Sequence, residues 1–174
     1  MNKSLKIREA RESDCQFILG MIHELAAFEK LSHEVLATEL KLKEHLFSSQ
    51  PVAKALIAEL NGVAVAFALY FFSFSTFLAK PGIYLEDLYV KESFRSKGIG
   101  LSLLKHLALI AQENNFGRLE WSVLDWNQKA IDFYLKLGAK PMDEWTVYRL
   151  NEDAISKLAS RDYFFLLDAD KDLS

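Results

Sequence analysis

Glu86-Asp87-Leu88-Tyr89-Val90-Lys91-Glu92-Ser93-Phe94-Arg95-Ser96-Lys97-Gly98-Ile99-Gly100 gathers a carboxylate pair, an apolar strand end, several cations and a Gly-x-Gly into one short stretch. Closely spaced glycines opening a helix let backbone N–H groups approach a ligand, and the helix dipole favours negative charge there. Arg95 and Lys97 add positive charge, and the construction suits a pyrophosphate. No Gly-Lys-Ser/Thr follows, so this is not a Walker loop. Only the Gly-x-Gly part of the dinucleotide fingerprint is present. Upstream, Glu86 taken alone reads as an ordinary polar residue at a strand position. Asp87 falls on the opposite face of a regular strand and is set aside.

A second chemical stretch runs from Asn127 to Tyr134. The two are seven residues apart, two helical turns, so both project to one side of a helix. A phenol so placed can donate a proton. His23, His33, His45 and His106 have no metal-ligand spacing. Cys15 is the only cysteine, which excludes an intramolecular disulfide and an all-cysteine zinc site. No metal is expected.

These groups need a scaffold. Residues 5–9 read as a strand, and Ser13-x-x-Gln16 as the capping-box start of a helix carrying Phe17, Ile18, Met21, Ile22 and Leu25. Ser32 is expected to cap a second helix with Leu36, Leu40 and Phe47. Residues 53–60 and 63–74, joined by Asn61-Gly62, form a hairpin with a type I′ turn. Pro81-Gly82 should break the chain before a strand over 83–90. A helix over 98–114 buries Ile99, Leu103, Leu107 and Ile110. A strand over 118–124 follows, then a helix over 127–137 ended by Gly138. A last strand is expected at 145–150 and a terminal helix at 152–160. That order gives an α/β domain with a mixed sheet.

The chain has 174 residues, 51% hydrophobic and 26% charged, which bounds it to one folded domain over 1–160 and a tail, 161–174, of unassigned placement. A formal charge of −3 argues against a general nucleic-acid binder. The longest apolar run, 63–72, is about half a membrane span, and the N-terminal residues lack an apolar targeting region. A cytoplasmic protein with no membrane partner is expected.

Arg-x-x-Gly-x-Gly, together with Asn127, Ala130, Phe133-Tyr134 and Leu137-Gly138-Ala139, resembles the GNAT N-acetyltransferases. Within them the chain looks like the spermidine/spermine N-acetyltransferases and especially their thialysine N-ε-acetyltransferase relatives. The matching segments are His23-Glu24-Leu25-Ala26-Ala27-Phe28-Glu29, Tyr84 to Val90, the loop and the Asp125-Trp126-Asn127 helix. The resemblance implies a mostly antiparallel twisted sheet with helices on both faces. It also implies acetyl transfer from acetyl-CoA to a primary amine of a small cationic substrate, by direct attack in a ternary complex. Glu86 would accept the amine proton and Tyr134 would protonate the leaving thiolate. Leu88, Tyr89, Val90, Arg95, Ser96, Lys97, Gly98, Ile99, Gly100, Leu101, Asn127 and Ala130 would bind acetyl-CoA. Phe28, Glu29, Glu86, Glu120, Trp121, Ser122 and Glu144 would line the amine channel. A homodimer is implied as well, with the apolar run at 163–167 a candidate contributor.

Two alternatives stay open. One is a protein or peptide N-acetyltransferase. The other is a non-catalytic acyl-CoA-binding regulatory domain, which would need neither Glu86 nor Tyr134. The polyamine enzymes carry an acid where this chain has Ser75, so a shorter amine than spermine is expected.

Overall fold

The computed structural model describes residues 4–160; the tail expected at 161–174 lies outside the described residues. The described backbone divides into two compact units, residues 4–124 and 125–160.

The first unit runs β1 (Leu5–Glu9), α1 (Cys15–Glu29), α2 (Glu39–Phe47), β2 (Lys54–Leu60), β3 (Val63–Ser75), β4 (Lys80–Val90), α3 (Ile99–Glu113) and β5 (Leu119–Trp121). The sheet order is β1-β2-β3-β4-β5. All neighbours are antiparallel except β4 and β5, whose parallel pairing needs the α3 crossover. The β2–β3 hairpin turns at Asn61 and Gly62, with φ of 53° and 81°, the positive pair a type I′ turn demands.

Alternation along β4 sorts the helices onto opposite faces. Tyr89 packs with Ile18 and Met21 of α1, Leu46 of α2, and Ile57 and Phe67 of the sheet. Its neighbours Leu88 and Val90 turn the other way, where a Cβ on Gly100 of α3 would lie 3.6 Å and 3.9 Å from them. Burying Ile18, Met21, Leu103 and Leu107 completely stabilises these layers by about 1.5–3 kcal/mol per side chain. This is the expected α/β architecture with helices on both faces. Among the described residues no helix is long and apolar enough to cross a membrane.

Several expected boundaries moved. Ser13 does not cap α1: the Asp14 carboxylate accepts from the Arg11 N–H and from Arg8, drawing residues 12–14 into a 3-10 turn, and the helix starts at Cys15. Ser32 begins only another 3-10 turn; α2 starts later, where Thr38 Oγ1 accepts from the Lys41 N–H. Pro81-Gly82 lies inside β4, with the turn displaced to residues 76–79. Proline is tolerated at the start of a strand, and glycine is required at 82 because a Cβ would meet the Arg118 Cγ at 2.8 Å. β5 is shorter than its apolar run.

The second unit holds α4 (Gln128–Lys136), capped by Asn127 and closed by Gly138 at φ 85°, and α5 (Glu152–Ala159), capped by Asn151. The strand expected at 145–150 is absent. Trp145, Val147 and Tyr148 are strongly exposed there, and an apolar run without a ladder partner remains coil.

Candidate active site

The centre of the site is an irregularity in β4. Leu85 pairs with Tyr70 and Asp87 with Leu69, so Glu86 is an extra residue with no partner on β3. Two hydrogen bonds corroborate this bulge. The Ile83 N–H donates toward β5, to Arg118 O at 3.0 Å, whereas the Lys91 N–H donates toward β3, to Val65 O at 3.0 Å. Residues an even number apart in a regular strand would point to the same edge; one inserted residue flips the parity.

The flip has two chemical results. First, with Lys91 directed at β3, alternation directs the Leu88 and Val90 N–H groups at the other edge, where β5 pairs only with residues 83–85. Among the described residues, no strand of the sheet occupies the edge those donors face. Second, Asp87 shifts to the Tyr89 face, the α1 side, rather than remaining across from the site. Its carboxyl is pushed up to about 6, by burial first and then by the charges of Glu86 and Glu29. Glu29 ends α1, where Lys30 adopts a left-handed φ of 64°, and burial raises its carboxyl too. Glu86 itself is exposed. The charges of Glu86 and Glu29 thus both bear on Asp87, beside a row of backbone donors. Sequence alternation had discarded Asp87; the one available signal was two adjacent acids inside an otherwise apolar strand.

The loop after β4 is built as expected. Gly98 takes φ 79° as the N-cap of α3, a conformation that disfavours any side chain, and the first turn of α3 offers the amide groups that glycine-rich helix starts use for phosphate. Ser96, Lys97, Ile99, Gly100 and Leu101 sit in this turn, Ile99 buried and Ser96 at φ 60°. Both basic side chains are engaged by the protein itself. Lys97 Nζ donates to Ser93 O at 2.7 Å and lies over the Phe94 ring, while Arg95 lies over Phe28 and Tyr89.

On β5 the Glu120 carboxylate pairs with Arg118 at 2.7 Å, and Ser122 Oγ shares a 2.8 Å hydrogen bond with the Tyr84 hydroxyl. Trp121 is half-buried opposite Leu85. Ser75 does not sit as an open substitute for an acid. It is 6% exposed, and its Oγ accepts from the Leu78 N–H at 3.3 Å, closing the β3–β4 turn about 20 Å along the strand from Glu86.

In the second unit, Asn127 Oδ1 accepts from the Ala130 N–H at 3.4 Å as the α4 cap. Burial holds the Tyr134 phenol above its ordinary range, so the hydroxyl stays protonated and able to donate. Glu144 is exposed. Among the described residues no cluster of three His, Cys, Asp or Glu is arranged to hold a metal ion.

Comparison with known proteins bears on this geometry. Residues 19–139 match the acetyltransferase (GNAT) family. The chain is 40% identical to a thialysine N-epsilon-acetyltransferase of Mus musculus over 169 residues, covering 91% of this chain and 99% of that one. It is 34% identical to an L-ornithine N5-acetyltransferase of Arabidopsis thaliana, covering 88% of this chain and 87% of that one. Among solved structures, an integron cassette protein from the mobile metagenome of V. cholerae superposes with a TM-score of 0.75 at 32% identity, covering 90% of this chain and 98% of that one.

Proposed function

The chain belongs to the GNAT acetyltransferase family and is an acetyl-CoA-dependent amine N-acetyltransferase, and from that premise we propose that its acceptor is a short molecule with a terminal primary amine, of the thialysine or ornithine kind. The observation that carries this reading is the carboxylate group Glu29, Glu86 and Asp87 beside the open half of β4. An ammonium drawn to that group is attracted by nearby negative charge and can lose its proton to a carboxylate held near neutrality.

In the proposed reaction the amine nitrogen attacks the thioester carbonyl carbon directly, in a ternary complex. The ammonium proton leaves to Glu86 or Asp87, directly or through water. The Leu88 and Val90 N–H groups hydrogen-bond the oxygen as it gains charge. The C–S bond breaks, the departing sulfur takes the proton of Tyr134, and the second proton, lost by the nitrogen as it becomes an amide, returns through water to the phenolate. The pyrophosphate of acetyl-CoA is held by the first turn of α3, and Phe28 and Glu29 line the amine side with Glu120, Trp121 and Ser122. By the resemblance to the family, Asn127 and Ala130 would bind the pantetheine arm and Glu144 would supply a further acid.

The test is thiol release from acetyl-CoA across thialysine, lysine, ornithine, putrescine, spermidine, spermine and short peptides. Thialysine or ornithine is expected to show the highest kcat/KM. A peptide or spermine exceeding every short amine would defeat the proposal. A homodimer belongs to the same reading, supported by the resemblance to the polyamine enzymes; a monomer in sedimentation at micromolar concentration would remove it.

A further inference from the structure

Arg95 heads the Arg-x-x-Gly-x-Gly stretch, the position from which a guanidinium would be expected to serve phosphate. Its actual contacts lie elsewhere. The guanidinium carbon stands 4.7 Å from the Phe28 ring centroid and 5.0 Å from that of Tyr89. Nε donates to Val90 O at 3.0 Å, and the Arg95 backbone N–H is occupied by Glu92 O. A planar guanidinium can lie face-on against two rings while its edge N–H donates in its own plane, a geometry that a compact ammonium does not reproduce.

The three partners define what this side chain holds together. Tyr89 is almost fully buried on the α1 side of the sheet. Phe28 is partly exposed at the end of α1, next to Glu29. Val90 O terminates the open edge of β4, whose Leu88 and Val90 amides point the same way. Gly100 and the start of α3 meet β4 from the opposite face. Lys91 is engaged in the same way, its Nζ lying 5.5 Å from the Phe17 ring centroid and 3.7 Å from Glu24 on α1.

We propose that Arg95 is a positioning residue that ties the acetyl-CoA loop to the amine side of the site through Phe28 and the end of β4, and that its side chain is not a phosphate ligand. The inference rests on Phe28 lining the amine side. Binding at the helix start then falls to backbone amides, and Arg95 fixes where the acceptor sits relative to the open edge.

The experiment compares Arg95→Lys with wild type in the full chain, using whichever amine the wild type acetylates best, so it does not depend on the acceptor's identity. Two donors are used: acetyl-CoA and S-acetylpantetheine, which lacks the pyrophosphate and nucleotide. CoA affinity is measured separately by calorimetry, which needs no turnover. Expected is a fall of roughly ten-fold in kcat/KM for the amine with both donors, with the CoA Kd within two-fold of wild type. A phosphate ligand would give the opposite pattern. A ten-fold rise in CoA Kd, or unchanged kinetics with S-acetylpantetheine, overturns the proposal. Should Arg95→Lys lose its fold by circular dichroism, Phe28→Leu carries the test. It should lower amine kcat/KM with both donors at unchanged CoA Kd, and a kinetically silent Phe28→Leu overturns the proposal equally.

Discussion

Asp87 and Tyr134 titrate in ways that separate their roles. Because the Asp87 carboxyl is raised to about 6, the acid limb of kcat/KM should fall near that pH in wild type. Asp87→Asn should displace that limb and lower the plateau by roughly ten- to hundred-fold, whereas an unmoved limb would return proton acceptance to Glu86 alone. The same shift fixes a stability sign. The folded protein holds the Asp87 proton more tightly than the unfolded chain, so this group favours folding fully below about pH 4 and loses that contribution as pH rises through about 6. Asp87→Asn should therefore raise the melting temperature at pH 8 and leave it near wild type at pH 4. Tyr134→Phe removes a proton donor whose burial keeps it protonated. It should cut kcat by roughly ten- to thousand-fold at near-normal CoA affinity, judged by single-turnover rates and calorimetry.

Strands and helices carry a different kind of constraint. Gly82 has no room for a side chain: its Cβ would lie 2.8 Å from Arg118 Cγ, 2.9 Å from Ser73 Oγ and 3.1 Å from the Arg118 carbonyl oxygen. Gly82→Ala should thus cost about 1–3 kcal/mol in denaturant unfolding by prising β5 from β4, and a neutral result would contradict this packing. Elements with local causes were legible before the structure. Asn61-Gly62 encoded its own turn, and the stripe Ile99, Leu103, Leu107 encoded the buried face of α3. Elements with distant causes were not. Pro81-Gly82 looks like a turn, yet β5 makes it a strand. The residues 145–150 look like a strand, yet without a ladder they are not one. The bulge at Glu86 belongs to this second kind, since only the pairing of β4 with β3 on one side and β5 on the other reveals an extra residue. That is why regular alternation misplaces Asp87 relative to Glu86 and Glu29.

At the scale of the first unit, one charged network joins three elements. Arg8 on β1 bonds Asp14 through both terminal nitrogens, at 2.7 Å and 2.9 Å, and Glu59 on β2 through Nε at 2.6 Å. These side chains are 13–20% exposed, so screening is incomplete. The Arg8 guanidinium holds the Asp14 carboxyl below its ordinary range, and such a group contributes stability above its unfolded pKa and loses it as pH falls through the folded value. Wild type should accordingly lose melting temperature more steeply than Arg8→Met below about pH 4. At pH 7 that variant should be less stable by about 2 kcal/mol, because two carboxylates lose their partner. Parallel melting curves for the two would remove the network from the account.

The inserted residue of β4 also sets fitness for folding against fitness for turnover. Leu85 and Asp87 already pair with consecutive residues of β3, so excising Glu86 would leave both halves of the strand in their present registers and merely close an interrupted ladder. A bulge leaves its extra residue unpaired and locally disrupts the ladder. The shortened protein should be as thermostable as wild type or more so, and, having lost one of two candidate proton acceptors while keeping Asp87 and the Leu88 and Val90 donors, should show kcat/KM lowered by roughly ten- to hundred-fold. A selection for heat resistance alone would discard this residue, and a selection for growth on its product would restore it.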